Sequence, residues 1–433
     1  MKGISLILKS HKGVALIAAY LIIAALIVFI VAFFNASVSQ NSAANQFKRQ
    51  LQSFNLAEAG LDKAVNWLRA QASPPVGNRT NPWGGVISLG NGTYSVVITD
   101  MGIQGGNSSV HRYKIVSTAT VGGISQTLTG YVQNDNYARF IWFTDRETYS
   151  GTNVWFWDLD HLNGPTQTNG HFNIFGDPIF DGEARSVDDY IRYYNNGNNI
   201  NSTQSSNPPN DEPQFNGGLT LGVDSLGMPS QALSLRTAST NGGLRLSGNS
   251  TVVLNADGTM NVTNSARGWS NMNMPLPANG ALFVDSGNLT VSGTLNGRLT
   301  VGSSQDILIP GNIIYANDPR TNPSSNDMLG ILAESDVVIS HNASYDLEID
   351  ASIMALSTSF LLQNYWDGPA KGTLTVYGGI IQDERGPVGT FNGGTRQKLS
   401  GYTKDYAYDS RMLASPPPFY PTTKDYVTLS WED

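Results

Sequence analysis

The sequence contains no cysteine. That absence excludes disulfide bonds, thiolate metal sites and cysteine-based catalysis. Charge is also sparse, since charged residues make up 14% of the 433 residues and the formal net charge is −8. Proteins that bind nucleic acid normally present a basic surface, so we expect no nucleic-acid partner.

Recognisable catalytic motifs are missing as well. The five histidines lie far apart and show no metal-ligand spacing, and no GxSxG, P-loop or dinucleotide fingerprint occurs. Paired carboxylates are the remaining alternative, because they can serve glycosidase chemistry or hold Ca²⁺. The acidic clusters are Asp346, Glu348 and Asp350 on one strand, and Asp177, Asp181 and Glu183 in a Gly-rich loop. Neither brings a matched base or a calcium-loop spacing, so we interpret both as solvated polar faces and expect no catalytic residue, cofactor or metal.

Glycine, in contrast, is abundant, with 45 residues, and aromatic residues make up 10% of the chain. Aromatic content at this level argues against disorder. Gly, Asn and Ser supply the tight corners between short strands. The length predicts two or three folded units, and the composition predicts that most of the chain is β structure.

A basic stretch precedes an uncharged one at the amino terminus. Residues 14–34 contain no charged side chain and would span about 31 Å as a helix, which matches the hydrocarbon core of a bilayer. The basic side chains ahead of it place the amino terminus in the cytoplasm. A removable signal peptide is the alternative, but the apolar run is too long and its end offers poor cleavage sites.

A helical pattern continues beyond the apolar run as far as Pro74-Pro75, where proline ends it. We therefore expect one helix over residues 14–72, membrane-spanning over 14–34 and amphipathic afterwards. The apolar residues of the second half recur at steps of three and four, which predicts one packing face. They are Phe47, Leu51, Phe54, Leu61, Val65 and Leu68.

Two motifs in this region resemble those of type IV pilins. The basic leader ending in Gly13, followed by Val14 and an apolar run, is similar to a prepilin peptidase site, and residues 54–61 (FNLAEAGL) resemble the signature of PilX-type minor pilins. The resemblance implies a leader over residues 1–13, a bacterial inner-membrane location with the head periplasmic or extracellular, and presence in a pilus after assembly. It also implies that prepilin peptidase and other pilins or pseudopilins are partners. The sequence departs from the family at Ala18, where most pilins have Glu.

Three runs of alternating apolar and polar residues follow, and Gly122-Gly123 is a hairpin signal between the second and third. They predict a small antiparallel sheet over residues 83–133, with one face covered by the amphipathic half of the helix.

From residue 135 to 433 we expect one large all-β head. A pattern of two short apolar runs meeting at a small residue recurs there, with the small residues at Gly293, Gly311, Ala351 and Gly378. Such corners predict a right-handed parallel β-solenoid over about residues 244–382, and a bulky residue at Gly311 should cost about 1–3 kcal/mol through overpacking. An antiparallel β-sandwich is the alternative. The expected fold class is therefore α+β.

Two functions fit these features. The first is a non-enzymatic minor pilin or pseudopilin at or near a filament tip, which primes assembly or presents the head to a surface or glycan ligand. The alternative is a membrane-tethered β-helix protein that binds or degrades extracellular polysaccharide. Trp142, Trp155 and Trp157 bear on that choice, since they are either sugar-stacking platforms or buried core, and we favour core.

Overall fold

The computed structural model describes residues 12–71, 74–103 and 110–432; the first 11 residues of the expected leader lie outside them. The described chain begins with one helix, α1 (Lys12–Arg69), of 58 residues. Within it, Ala15–Arg69 includes a window of mean hydropathy 3.1, none of it buried. By length and composition this helix can cross a membrane. Side chains 15–49 are all exposed.

The second half of α1 packs on an antiparallel sheet. Its first five strands are β1 (Arg79–Thr80), β2 (Ile87–Leu89), β3 (Gly92–Ile103), β4 (His111–Val121) and β5 (Ile124–Asn136). The sheet is ordered β1-β3-β4-β5, with β2 on β3. Alternate residues of β4, such as Tyr113 and Ile115, are fully buried under α1, because successive side chains of a strand point to opposite faces.

Small residues of α1 make the closest contact with this sheet. The buried positions lie on one face of the helix and are Ser53, Leu56, Ala57, Gly60, Ala64 and Leu68. A Cβ at Gly60 would lie 2.1 Å from the Ser117 Oγ and 3.0 Å from Tyr94. The helix therefore approaches the strands more closely than larger side chains would permit.

The packing face predicted from large apolar residues is only partly correct. Leu68 is buried, and Phe54, Leu61 and Val65 flank the contact half-buried. Phe47 and Leu51 do not take part, since they are 68% and 52% exposed. The prediction was wrong for those two residues because counting apolar side chains gives no weight to the Ser-Ala-Gly-Ala stripe that α1 presents to the sheet.

The head begins after a 3-10 turn (Tyr137–Arg139) with what we call the first head segment, residues 142–221. Its strands are short, mostly of two or three residues. They are β6 (Trp142–Arg146), β7 (Thr148–Tyr149), β8 (Thr152–Asn153), β9 (Phe156–Trp157), β10 (His161–Asn163), β11 (Thr166–Thr168), β12 (Asn173–Phe175), β13 (Ile179–Phe180), β14 (Ala184–Ser186), β15 (Ile191–Tyr193), β16 (Ile200–Ser202), β17 (Gln214–Phe215) and β18 (Leu219–Leu221), with a 3-10 turn at Asn195–Gly197.

Residues 222–243 form a crossing segment that contains α2 (Leu233–Thr240), and residues 244–408 form the second head segment. Its strands are β19 (Leu244–Ser247), β20 (Ser250–Leu254), β21 (Thr259–Asn264), β22 (Trp269–Pro275), β23 (Ala281–Asp285), β24 (Leu289–Leu295), β25 (Arg298–Ser303), β26 (Ile307–Ile309), β27 (Ile313–Tyr315), β28 (Met328–Ala333), β29 (Val337–Ile339), β30 (Leu347–Ala355), β31 (Phe360–Leu362), β32 (Ala370–Glu384), β33 (Gly389–Phe391) and β34 (Lys398–Tyr408), with a 3-10 turn at Ser265–Arg267. A return segment with α3 (Arg411–Ala414) then leads to β35 (Thr422–Glu432).

Parallel pairing dominates the head. Leu289 pairs with Ile307, Ile307 with Val337, and Val337 with Phe360, each two or three strands further along the chain. The inward side chains are apolar and fully buried, so the pairing stacks them into a continuous core. The α+β class with a parallel sheet is confirmed. This sheet extends from β6 to β34 within the described residues, well beyond the expected limits 244–382, because strands of two or three residues are too short to show a period in the sequence.

The spatial order of the head differs from its chain order. The last strands of the second segment pair in parallel with strands of the first segment, as Ile380 with Trp142 and Asp405 with His161. We call this junction, where β6 and β10 meet β32 and β34, the seam. The stack of strands therefore begins at β19, passes the seam and ends at β18.

The return and crossing segments cover the outer face of the stack. Side chains of these segments and of the strands beneath them form a second core cluster. Its members include Tyr137, Phe143, Leu235, Phe283, Met354, Ile381, Met412 and Tyr420. After it, β35 pairs antiparallel with β5, so residues 422–432 complete the first sheet instead of belonging to the head as expected. Tyr137 N donates to Pro421 O at 3.2 Å. The head is thus inserted between β5 and β35, and its two chain ends lie side by side.

Candidate functional site

A network of four charged side chains lies inside the seam. Arg385 is fully buried, and its Nη1 donates to the Glu147 Oε2 at 2.9 Å. Its guanidinium carbon lies 3.6 Å from the centre of the Phe156 ring, and Nη2 donates to the Trp155 carbonyl at 3.0 Å. Glu147 comes from the first head segment and Arg385 from the second, so this ion pair joins them.

Asp160 and Lys404 complete the network. Lys404 Nζ donates to the Asp160 Oδ2 at 2.6 Å, and Arg385 Nη2 lies 3.7 Å from the same oxygen. The side chain of Lys404 is only 13% exposed, and burial lowers the pKa of its ammonium group. Two cations, Arg385 and Lys404, thus pair with two anions, Glu147 and Asp160, and all four side chains are largely buried. A buried charge is tolerated when it is paired.

A cavity of about 490 Å³ opens beside this network, and we call it the seam cavity. The first head segment contributes residues 149–157 to its wall and the second contributes residues around 365 and 386–404. Its aromatic lining consists of Tyr149, Trp155, Trp157, Tyr365, Phe391 and Tyr402. Lys398 and Lys404 are the charged residues of the described wall, and Ser150, Thr152, Asn153 and Thr390 add hydroxyl and amide groups.

The three tryptophans considered in the sequence do not share one role. Trp142 and Trp157 are buried in the core, and Trp157 stacks on Phe391 with ring centres 5.1 Å apart. Trp155 is half-buried in the cavity wall, edge-on to Tyr194 at 5.4 Å. The core interpretation therefore holds for Trp142 and Trp157, although Trp157 also borders the cavity, and Trp155 is the more exposed of the two tryptophans in the cavity wall.

The acidic strand does not form a catalytic carboxylate pair. Glu348 and Asp350 both face Arg320, at 2.6 and 3.6 Å from Nη2. Asp346 accepts the Thr373 backbone N–H at 2.8 Å. Asp350 is buried, and burial raises its pKa to about 7 even though Tyr315 N–H and Arg320 act in the opposite direction. One arginine therefore pairs with two of these carboxylates, and the third accepts a backbone N–H of β32.

We expect Asp350 to make stability pH-dependent. Because its pKa is 3.8 when exposed and about 7 when buried, the unfolded chain releases this proton first as the pH rises. Folding is therefore penalised progressively, by about 2 kcal/mol between pH 5 and pH 7. Asp350→Asn should lose that part of the slope, measured by denaturant unfolding of the chain in detergent micelles at each pH. Asp367→Asn, at an exposed turn, is the control and should keep the wild-type slope. Parallel pH curves for wild type and Asp350→Asn would contradict the assignment.

The second acidic cluster is held by hydrogen bonds. Asp181 Oδ2 lies 2.6 Å from the His161 Nε2, and Asn216 donates to its other oxygen. Asp177 accepts the Glu212 N–H at 3.0 Å, and Glu183 accepts the Thr220 hydroxyl. Within residues 12–71, 74–103 and 110–432, no group of three or more His, Asp or Glu side chains is arranged to hold a metal ion.

Of the four small residues expected at corners, three lie against the backbone of a neighbouring strand, whereas Gly311 does not. Gly293 and Gly378 have positive φ, and a Cβ there would lie 2.3 Å from the Leu254 carbonyl oxygen and 2.1 Å from the Ala351 carbonyl oxygen. Ala351 pairs directly with Gly378. At Gly311, however, a Cβ would meet nothing within 4 Å. The expectation that a bulky residue would be crowded there was wrong, because the space that a side chain at Gly311 would occupy is open.

The residues of the expected processing site lie at the start of α1. Gly13 and Val14 belong to its first turn, and Ala18 is exposed on the bare part of the helix. Sequence reasoning missed Arg385 and Lys404 altogether. Their partners lie 238 and 244 positions away, and a lone basic residue in a β-rich sequence carries no local signal of such a contact.

Known proteins show two kinds of similarity to this chain, a family match over part of its length and a distant similarity to a solved structure. A family described as "Domain of unknown function (DUF4900)" matches residues 94–188, which run from β3 to just after β14. No curated protein matches the chain. The competence-associated pilin ComZ from Thermus thermophilus is similar over 89% of this chain and 97% of its own, at 14% identity and a TM-score of 0.34. Those values are too low to define the fold or the function of this chain.

Proposed function

We propose that this chain is a non-enzymatic, membrane-anchored minor pilin or pseudopilin that carries a β-solenoid head. The main support for the proposal is that the two halves of α1 have different surroundings. Its side chains are exposed along residues 15–49 and uncharged as far as residue 34, whereas residues 53–68 pack closely on the antiparallel sheet that β35 completes. A bare apolar helix requires either a bilayer or other apolar helices around it. A subunit that moves from membrane to filament meets both environments in turn.

The parallel pairing of the head supports the solenoid part of the proposal. Strands separated by 18 to 30 positions pair in register, as Leu289 with Ile307 and Ile307 with Val337, and the inner side chains form one core. Repeating coils of this kind bury a continuous apolar column. The chain needs no catalytic group for this role, and neither acidic cluster provides one.

Processing between Gly13 and Val14 is the first test. We expect the mature protein to begin at Val14, because the basic leader and Gly13 resemble a prepilin peptidase site. Intact-mass and amino-terminal analysis of the membrane fraction measures this directly. Gly13→Val should abolish cleavage, whereas Gly3→Val, a matched change elsewhere in the leader, should leave it intact. Retention of Met1, or a start near Ser37, would contradict the proposal.

The second part of the proposal is that this subunit lies at or near the tip of the filament. In a pilin array the Glu that most family members carry is thought to neutralise the terminal ammonium of the subunit ahead, and an unpaired charge among apolar helices costs several kcal/mol. Ala18 offers no such carboxylate, which suits a subunit with nothing ahead of it. The inserted head of residues 142–408 would also crowd a regular array.

Immunogold labelling of sheared filaments with a tag on the head tests this location. We expect one label at a filament end. Regular labelling along the shaft would show that Ala18 does not restrict the subunit to the tip, and labelling that never coincides with a filament would overturn the pilin assignment itself.

A further inference from the structure

The seam cavity is a built site and not a packing defect. It exists only because the two head segments meet, and its volume of about 490 Å³ lies within the range of about 300–1,000 Å³ typical of small-molecule sites. Its rim is open to solvent at Ser150 and Thr152, which are exposed, while Lys404 and Tyr402 lie at depth. A ligand can therefore enter it and reach buried polar groups.

Lys404 has more N–H donors than it has hydrogen-bond acceptors among the described residues. An ammonium group has three N–H donors, and the hydrogen bond of Lys404 goes to the Asp160 Oδ2 at 2.6 Å. The side chain is 13% exposed and lines the cavity. A buried donor left without an acceptor is costly, so oxygen atoms of a ligand would complete the coordination of this ammonium group.

The charge of the wall favours an anionic ligand. Lys398 lies on the same wall, and its Nζ donates to the carbonyl oxygens of Lys371 and Gly372 and to the Thr403 hydroxyl. No carboxylate is among the described residues that line the cavity. Asp160 pairs with Lys404 and Asp346 acts on Lys398, but neither carboxylate is among the described lining residues, so the charged groups that face the cavity are the two ammonium groups. In a chain with net charge −8, this local positive site is an exception.

The aromatic side chains indicate what kind of anion fits. Tyr149 and Tyr365 meet edge to face at 6.0 Å, and half-buried Trp155 also lines the cavity. Aromatic faces combine apolar area with room for polar edges, and the hydroxyl and amide groups of Ser150, Asn153 and Thr390 lie around them. Such walls suit a ring with apolar faces and a rim of hydroxyl groups.

We infer that the seam cavity binds an acidic saccharide, with a sugar ring against Trp155 and a uronate carboxylate near Lys404 and Lys398. Single-stranded nucleic acid also stacks on aromatic residues, but it needs a positively charged groove that follows its backbone, and the two lysines of this cavity do not form one. The inference concerns the head alone, so it holds whether or not α1 is processed.

Calorimetric titration of the full chain in detergent micelles with tetragalacturonate tests the inference. We expect saturable binding that weakens about tenfold or more for the methyl-esterified tetrasaccharide, which has the same rings without the charge, corresponding to the loss of one charged contact. Trp155→Ala should weaken binding of tetragalacturonate by a similar factor. Trp269→Ala, a half-buried tryptophan on β22, a strand that takes no part in the seam, should leave it unchanged.

Lys404→Met is a second variant, but it disturbs the buried network, so Trp155→Ala carries the decision if Lys404→Met does not fold. The inference is overturned if tetragalacturonate does not bind. Equal binding of the acid and its ester, or undiminished binding by Trp155→Ala, also overturns it. Binding of oligothymidylate without binding of the saccharide would identify a nucleic-acid site instead.

Discussion

Replacing Gly378 by valine is expected to destabilise the folded chain by about 3–5 kcal/mol. Gly378 has φ of +147°, and a Cβ there would lie 2.1 Å from the carbonyl oxygen and 2.5 Å from the carbonyl carbon of Ala351. Those are backbone atoms of the neighbouring strand, paired directly with Gly378, so they cannot turn aside as a side chain would. Strain of the backbone and overpacking each contribute about 1–3 kcal/mol in such positions.

Gly311→Val is the matched control for this prediction. A Cβ at Gly311 meets nothing within 4 Å, so we expect a change within about 0.5 kcal/mol, as for surface substitutions. Denaturant unfolding of both variants in detergent micelles, followed by tryptophan fluorescence, measures the difference. Equal losses of stability for the two variants would show that the parallel pairing of β30 with β32 is not as described.

Replacing Arg385 by methionine is expected to cost about 3–5 kcal/mol, the loss seen when one partner of a buried ion pair is removed. The methionine fills most of the space but leaves Glu147 without its buried cation and Asp160 with Lys404 alone. Because Glu147 belongs to the first head segment and Arg385 to the second, the loss should appear at the seam. Limited proteolysis should then cut near residues 147–160 faster than in the wild type.

Arg396→Met is the control for the seam. Arg396 also comes from the second segment and pairs with Asp158 of the first at 3.0 Å, but it is 38% exposed. Exposed pairs contribute about 0–1 kcal/mol, so this variant should stay close to the wild type. If Arg396→Met costs as much as Arg385→Met, burial of the network does not hold the two segments together. Recovery of stability in the double variant Arg385→Met with Glu147→Gln would support the buried pair.

Local chemistry made much of the architecture predictable. Residues 14–34 are uncharged and Pro74-Pro75 ends the helix, so α1 could be read from the chain. Gly122-Gly123 marks the turn between β4 and β5, because glycine adopts the positive φ that a tight hairpin requires. The recurring apolar runs around Gly293 and Gly378 indicated β structure with parallel strands. In each case neighbouring residues alone determine the conformation.

Contacts between distant residues decided the rest. The face of α1 that packs on the sheet depends on how closely Gly60 can approach Ser117, and hydrophobic periodicity does not report this. The return of β35 to β5 depends on pairing between positions about 300 residues apart. No local pattern encodes such a pairing, since the same alternation would suit a strand of the head.

The candidate site likewise depends partly on local sequence and partly on contacts between distant residues. Composition and local periodicity are enough to show that the chain offers no thiol chemistry, that it has a long apolar helix and that its head is rich in β structure. The stacking of the first head segment beyond the end of the second, in contrast, follows from three-dimensional packing. That arrangement brings Glu147 and Asp160 to Arg385 and Lys404 and opens the seam cavity beside them. Parallel strands can pair with any strand of matching length and apolar pattern, so three-dimensional packing and not sequence order selects the partners.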